Sequence, residues 1–303
     1  MYNSDHQFCT NHDKMLTNII ENTCQYVKDN KLKSLIIGMS GGIDSALTAA
    51  IAGIVRDELV NSIDLVGFAI DIESSQDEMH KAVQSMTTFC NKHEVVNSHK
   101  CNNSTSYLLL RFLTLSKCGE ISDDCDDTCI GNIKARLRMI ILYDQARRKK
   151  GVVLSTTNYT EHLLGFHTLH GDVGDFGMLK NLWKTEVYGL AKHLVNVLVK
   201  KGKYKESKIL NSSIYAFPTD GFGIGTDFDQ ICEDEYQNGS PEDIYRRIDT
   251  LLYNYINIPP SMTDSETKAR IKRYKDNKVI QRYIKNTFKR SNPFYIDRKD
   301  IVQ

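Results

Sequence analysis

Apolar residues along the chain fall into short continuous runs separated by stretches of helical spacing. Leu35, Ile36 and Ile37 form one run, which predicts a strand at 34–38 covered on both faces. IDLVGFAI (63–70) predicts a second strand, EVV (94–96) a short third and GVVLSTTN (151–158) a fourth that runs into a polar turn. Between them, Leu16, Ile19, Ile20, Tyr26 and Val27 repeat at helical spacing over 15–29. Ala46, Leu47, Ala50, Ile51 and Ile54 share the apolar side of a helix opening at Asp44. Further helices are predicted at Gln76 to His93, 106–115, 131–151, Trp183 to Lys201, 241–256 and 265–287, the last one basic. Pro241 stands where an early helical proline is tolerated, and Pro259 and Pro260 end that helix. The β-α-β-α-β order predicts an α/β fold, a doubly wound parallel sheet flanked by helices. The chain reads as one unit over 1–303, with a polar tail at 1–14, a long irregular segment at 202–240 taken as a mobile lid, and a C-terminal helix and tail at 265–303.

Ligands in such sheets sit beyond the carboxyl ends of the strands, and there the sequence becomes chemical. SGGIDS (40–45) follows the first strand. Gly41 and Gly42 permit a turn that side chains would block and let backbone N–H groups approach an anion. The helix after it offers unpaired N–H donors and the positive end of its dipole. Asp44 is a carboxylate in an anion-binding turn, which makes sense if a divalent cation lies between it and phosphates. The ordinary reading is a βα turn with a Gly-Gly kink, but Ser40, Asp44 and Ser45 all fit one phosphate-and-metal geometry. The Gly-Lys-Ser/Thr ending of a Walker A loop is absent.

A second chemical centre lies at 160–194, where Glu161, Asp172, Asp175 and Lys184 stand among glycines. His162, His167 and His170 form no HxxxH or HxH pattern and read as packing or solvated histidines. Lys134, Arg136 and Arg138 crowd cations into the first half of the 131–151 helix, against its dipole.

Charge and composition narrow the classes. Thirty-nine Lys and Arg against 38 Asp and Glu leave a net charge of +1, which argues against a dedicated nucleic-acid surface. No apolar run approaches the ~20 residues that span a membrane. The polar start MYNSDHQFCTNHDK has no signal-peptide core, so a cytoplasmic location is the expectation. In that setting the eight cysteines read as reduced thiols. Cys118, Cys125 and Cys129 cluster without a CxxC pair or a nearby His, and Asp123, Asp124, Asp126 and Asp127 read as a solvated charge run.

SGGIDS resembles the S-G-G-x-D-S pyrophosphate loop of the ATP pyrophosphatases, enzymes that split ATP between its α- and β-phosphates to adenylate a substrate. Within that group, GNIKARLRM (131–139), STTNYTE (155–161), GFHTLHGDVGD (165–175) and LWKTEV (182–187) resemble, in order, the motifs of the NAD synthetase family. FKRSNP (288–293) is similar to its C-terminal basic segment. GDVGD is one residue shorter than the family's GDGxAD pattern, AIDIESSQDE (69–78) lacks the usual Pro, and Phe288 replaces a frequent His.

The resemblance implies the adenine-nucleotide alpha-hydrolase-like, Rossmann-like fold. It also implies a ligase that joins ammonia to the nicotinate carboxylate of deamido-NAD through an adenylate, giving NAD, AMP and pyrophosphate. By the same resemblance Ser40, Gly41, Gly42 and Ser45 hold pyrophosphate, and Thr156, Lys184 and Thr219 contact ATP. Asp44 and Glu161 ligate Mg²⁺, and Asn132, Arg136, Asp172 and Lys289 contact deamido-NAD. Asp44, Glu161 and Lys184 form the catalytic set. Only about 33 residues precede the first strand, too few for the amidotransferase domain of glutamine-dependent relatives, so free ammonia is the expected nitrogen source. A homodimer is implied as well. A tRNA-modifying adenylase would need a basic face, and an inactive nucleotide sensor would not need Asp44, Glu161 and Lys184 together.

Overall fold

The computed structural model of the chain describes residues 8–72, 74–97, 127–218, 239–257, 263–274, 276–291 and 298. Five parallel strands form its centre: β1 (Ser34–Gly38), β2 (Asp64–Asp71), β3 (Lys92–Asn97), β4 (Gly151–Ser155) and β5 (Phe176–Gly177). Their order is β3-β2-β1-β4-β5, so the chain winds outward one way from β1 and then returns to wind the other way from β4. The doubly wound sheet expected from the sequence is therefore present. The two directions part between β1 and β4, paired at Ser34 with Gly151 and Ile36 with Val153, and this gap is the switch point where ligands enter such folds.

Both faces of the sheet are covered, which is why its strands read as continuous apolar runs. Successive side chains point to opposite faces. Leu35, Ile37, Leu65 and Ala69 enter a large core with α1 (His12–Asp29), α2 (Ile43–Glu58) and α3 (Gln76–Phe89). Ile36, Val66, Phe68 and Ile70 meet Leu137, Met139, Leu142 and Ala146 of α4 (Asp127–Arg148) on the other side. The large core continues into α5 (Tyr159–Leu164), α6 (Lys184–Lys200), α7 (Tyr204–Ile214) and α8 (Pro241–Ile256). Three shorter helices follow: α9 (Asp264–Tyr274), α10 (Lys278–Lys285) and α11 (Thr287–Arg290).

Several expectations are corrected. The third helix stops at Phe89 rather than His93, because Lys92 to Asn97 pair with Val66 to Asp71 and make β3 longer than EVV. Residues 204–214 are not irregular: they form α7, which buries Leu210 and Ile214 in the large core. The basic C-terminal helix is three pieces, and Asn277 starts the second by accepting a hydrogen bond from Ile280 N at 3.3 Å. The helix predicted at 106–115, Cys118, Cys125, and the run FPTDGFGIGTDFD from Thr219 onward lie outside the described residues.

β5 was not predicted at all. Its two residues pair with Leu154 and Ser155, and Tyr26 stacks on Phe176 with ring centroids 4.3 Å apart. Asp175 holds it in place: its backbone N donates to Val153 O at 2.7 Å and its Oδ2 accepts from Val153 N at 3.0 Å. Gly174 lets the turn come this close, since a Cβ there would lie 2.5 Å from Ser155 N and 2.6 Å from Val153 O. Gly174→Ala is expected to destabilise the protein by about 1–3 kcal/mol, the usual range for overpacking. Urea unfolding measures it, and an unchanged midpoint would refute this account of the turn.

Candidate functional site

The phosphate-loop candidate sits on β1. Met39 N donates to Phe68 O at 2.8 Å, carrying the strand pairing up to the turn. Gly41 then takes φ +84°, and a Cβ there would come 2.7 Å from Lys81 Cβ and 2.9 Å from Ala82 N of α3. Both the left-handed backbone and the close approach require glycine. Ser40 Oγ accepts from Gly42 N at 3.3 Å and lies 3.1 Å from Ser45 Oγ, which donates to Gly42 O at 3.0 Å. Gly42 caps α2 without a side-chain hydrogen bond, so no side chain competes for the helix's first N–H groups.

In the first turn of α2, Asp44 meets two other elements. Lys184 Nζ, at the start of α6, pairs with Asp44 Oδ2 and with Glu161 Oε1, the latter at 2.9 Å. Asn158 Nδ2 donates to Asp44 Oδ1 at 2.9 Å. Asn158 also caps α5 reciprocally with Glu161: its Oδ1 accepts from Glu161 N at 3.0 Å, and Glu161 Oε2 accepts from Asn158 N at 3.3 Å. The Lys184 side chain is only 3% exposed. Burial would push its ammonium down, but Asp44 and Glu161 overcome this and hold it well above the ordinary lysine value.

This trio opens onto a cavity of about 610 Å³ at the carboxyl edge of the sheet. Ser40, Gly41, Gly42, Asp44 and Ser45 line one side, with Thr156, Glu161 and Lys184 next to them. Asn132, Arg138, Asp172 and Lys289 line the far side. Asp172 Oδ2 accepts from Thr168 N at 2.7 Å, and Asn132 Oδ1 accepts from Thr168 Oγ1 at 2.7 Å. Burial raises the Asp172 carboxyl, opposed by Thr168 and by the Arg138 and Lys289 cations. Lys289 donates to Gly165 O at 2.8 Å and His167 O at 2.7 Å, fixing the loop that carries Phe166 and His167.

All the described residues picked out from the sequence as site candidates therefore converge here except Arg136 and Asp175, the latter engaged with Val153 in the turn before β5. Arg136 is exposed on α4, outside the cavity lining, and its Nε donates to Leu169 O at 3.2 Å. Two residues on, Arg138 turns inward and its Nη2 donates to Ser74 Oγ at 3.1 Å. Sequence reasoning missed Arg138 as a site residue, although it lay in the basic run, and missed Asn158, which the STTN motif contained. Thr219 lies outside the described residues. Among the described residues no group of three or more His, Cys, Asp or Glu side chains could hold a metal by itself, and no helix is long and apolar enough to cross a membrane.

Fold and site together define the class: a doubly wound α/β enzyme of the adenine-nucleotide α-hydrolase type. The chain belongs to the NAD synthase family, whose model matches residues 15–293. That makes it an ATP-using ligase of NAD biosynthesis that forms a C–N bond. It is 38% identical to the NH(3)-dependent NAD(+) synthetase of Mycoplasma genitalium, over 55% of this chain and 62% of that protein. It is 30% identical to the enzyme of the same name from Thermoplasma volcanium, over 86% of this chain and 89% of the relative. Among solved structures, NMN synthetase from Francisella tularensis superposes with TM-score 0.67 at 19% identity, covering 94% of this chain and 98% of that one. The NH3-dependent NAD synthetase of Campylobacter jejuni follows with TM-score 0.57 at 22% identity, covering 95% and 99%. At those identities the structural likeness speaks to the fold.

Two histidines near the cavity, His162 and His167, are disfavoured as cations by their surroundings. His167 is pushed down to about 4, first by burial and then by the Lys289 and Lys180 cations. A histidine with a lowered folded value contributes stability above its unfolded value of about 6.5, and that stability is lost as pH falls through the folded value. Between pH 6.5 and about 4 the protein is expected to lose stability, and His167→Gln to flatten that fall. Denaturant unfolding across this window checks it; identical slopes in parent and variant would refute it.

Proposed function

We propose that the chain amidates deamido-NAD with free ammonia, through an acyl-adenylate made at the expense of ATP. The observation that carries this reading is the convergence of Asp44, Glu161 and Lys184 beside an open phosphate turn, across one cavity from Arg138, Asp172 and Lys289. A carboxylate is a poor electrophile. Attack of the nicotinate oxygen on the α-phosphorus releases pyrophosphate and turns the carboxylate into a mixed anhydride. Ammonia then attacks the carbonyl carbon and AMP leaves.

Each wall of the cavity has a part in this chemistry. Ser40, Gly41, Gly42 and Ser45, with the open first turn of α2, hold the pyrophosphate. Thr156 and Lys184 contact ATP, and Lys184 stabilises charge developing on the departing phosphates. Asn132, Asp172 and Lys289 hold the deamido-NAD end. Mg²⁺ fits Asp44 and Glu161: they converge on one cation already, and two hard carboxylates joined by phosphate oxygens are the donor set it takes. When bound, it neutralises phosphate charge.

Free ammonia is supported by the relatives: the proteins of Mycoplasma genitalium and Thermoplasma volcanium to which the chain is similar are both NH(3)-dependent NAD(+) synthetases. A homodimer is supported by an unusual exposed apolar strip, Ile140, Tyr143 and Val173, with Ile140 64% exposed beside Arg136. Arg136 would then reach deamido-NAD bound between two copies.

Ammonium with ATP, Mg²⁺ and deamido-NAD is expected to give NAD, AMP and pyrophosphate in equal amounts, and purified glutamine in place of ammonium to give none. Equal rates with the two nitrogen sources would overturn the reading. Asp44→Asn and Glu161→Gln should each lower kcat by about 100-fold or more, with the double variant little worse than either, because both losses empty one site. Steady-state kinetics of the three variants decide this, and additive losses would count against a shared ion.

A further inference from the structure

Behind the site, away from the cavity, lies a buried carboxylate that no part of the mechanism above uses. Asp249 of α8 is 0% exposed and sits among Ile244, Tyr245, Ile248 and Leu252, all equally buried. Its two oxygens receive three hydrogen bonds from two threonines. Thr160 Oγ1 donates to Oδ1 at 2.6 Å, and Thr185 donates to Oδ2 from Oγ1 at 2.7 Å and from its backbone N at 2.8 Å. Lys184 N in turn donates to Thr160 Oγ1 at 2.9 Å, closing a ring.

The places of these threonines in the chain matter. Thr160 immediately precedes Glu161, and Thr185 immediately follows Lys184. One carboxylate therefore ties the first turn of α5 to the first turn of α6, and the two residues it ties flank the two that face the phosphate turn. A packing role alone is served by an apolar side chain, as its neighbours on α8 show. A carboxylate offers each threonine its own acceptor oxygen, Oδ1 to Thr160 and Oδ2 to Thr185. Burial is costly for a carboxylate: it pushes the Asp249 carboxyl up to about 6 despite the threonine hydrogen bonds that oppose the rise.

We propose that Asp249 is a positioning residue, fixing Glu161 against Lys184 through Thr160 and Thr185, and so setting the geometry in which Glu161 receives Mg²⁺ and Lys184 meets ATP. The proposal rests on the function given above for Glu161 and Lys184. Without the carboxylate the two helix starts lose three of the hydrogen bonds that tie them and are held less tightly relative to each other, while the phosphate turn on β1 and α2 keeps its own hydrogen bonds. The loss should thus fall on the part of ATP binding that depends on Mg²⁺.

The chain's single tryptophan, Trp183, stands next to Lys184 and reports on this junction. Its fluorescence follows ATP binding with and without Mg²⁺, independently of turnover. In the parent, Mg²⁺ should tighten ATP binding; in Asp249→Asn that gain should shrink by about tenfold or more, the usual scale for residues that orient metal ligands. Thr160→Val should act in the same direction, and it carries the test if Asp249→Asn does not fold. Ile248→Val, a core change on the same helix, should leave the gain and kcat within about twofold even if it lowers the unfolding midpoint as much. kcat for ammonium-dependent NAD formation should fall with the Mg²⁺ gain in Asp249→Asn, while KM for deamido-NAD stays within about twofold. An undiminished Mg²⁺ gain in both Asp249→Asn and Thr160→Val, or an equal loss in Ile248→Val, would overturn the proposal. A parent that binds ATP with Mg²⁺ but makes no NAD would instead overturn the proposed function, and the fluorescence titrations would still decide the role of Asp249.

Discussion

The ammonium of Lys184 is the point on which the rest of the site depends. It is buried and it lies between two carboxylates brought from separate elements, Asp44 from the turn after β1 and Glu161 from the helix after β4. Those strands are neighbours only because the sheet reverses its winding between them. A buried ion pair is weak evidence for stability, since desolvation consumes most of the attraction, yet removing one member of such a set costs about 3–5 kcal/mol. The arrangement therefore adds little to the fold when intact and punishes disruption. What it provides is a fixed relation between two helix starts and the phosphate turn.

That relation is reinforced from three directions. Asn158 holds Asp44 and caps the helix that carries Glu161, so one side chain links the two carboxylates. Glu186 does for the start of α6 what Glu161 does for α5: its Oε2 accepts from Trp183 N at 3.0 Å, and its Oε1 accepts from Cys9 N at 2.8 Å. The ring of Tyr245 lies with its centroid 5.2 Å from Lys184 Nζ and presents its face to the ammonium. Rigid elements thus carry every charged group on the phosphate side, the condition for electrostatic stabilisation without reorganisation.

Much of this was legible in the sequence, and the reason is physical. β1, β2 and β4 are covered on both faces, so their apolar runs stand out without alternation, and the glycine turn and its carboxylate carry an unusual composition. The rest was hidden for equally definite reasons. β5 is two residues long and is held by the Asp175 carboxylate and a glycine contact, neither of which has a hydrophobic period. Asp175, read from the sequence among acidic site candidates, serves the fold of that turn instead. α7 was obscured by the many Lys and Ser residues of KYKESKILNSS, while its burial rests on a few positions such as Leu210 and Ile214. Arg136 and Arg138 are two apart on a helix, so they face different ways, and a motif that names one cannot say which of them enters the cavity. Asp249 gave no signal, because its partners lie 64 and 89 residues earlier in the chain.

The charge balance of the trio accounts for a feature of the loop that is otherwise contradictory. An open helix start and a glycine turn attract phosphate, yet two carboxylates against one ammonium leave the same corner with a surplus negative charge. A bare polyphosphate brought there would meet repulsion from Asp44 and Glu161 at the place where the turn invites it. The contradiction disappears if the ligand arrives with its own divalent cation, since the carboxylates then complete the cation's oxygen shell while the turn receives the phosphates. Lys184 need not leave to allow this; a small displacement from the carboxylates toward the phosphate oxygens keeps it paired with negative charge throughout. Under the proposed function the surplus charge would work as a selectivity device, favouring the metal complex of the nucleotide over the free anion before any contact to base or ribose is made.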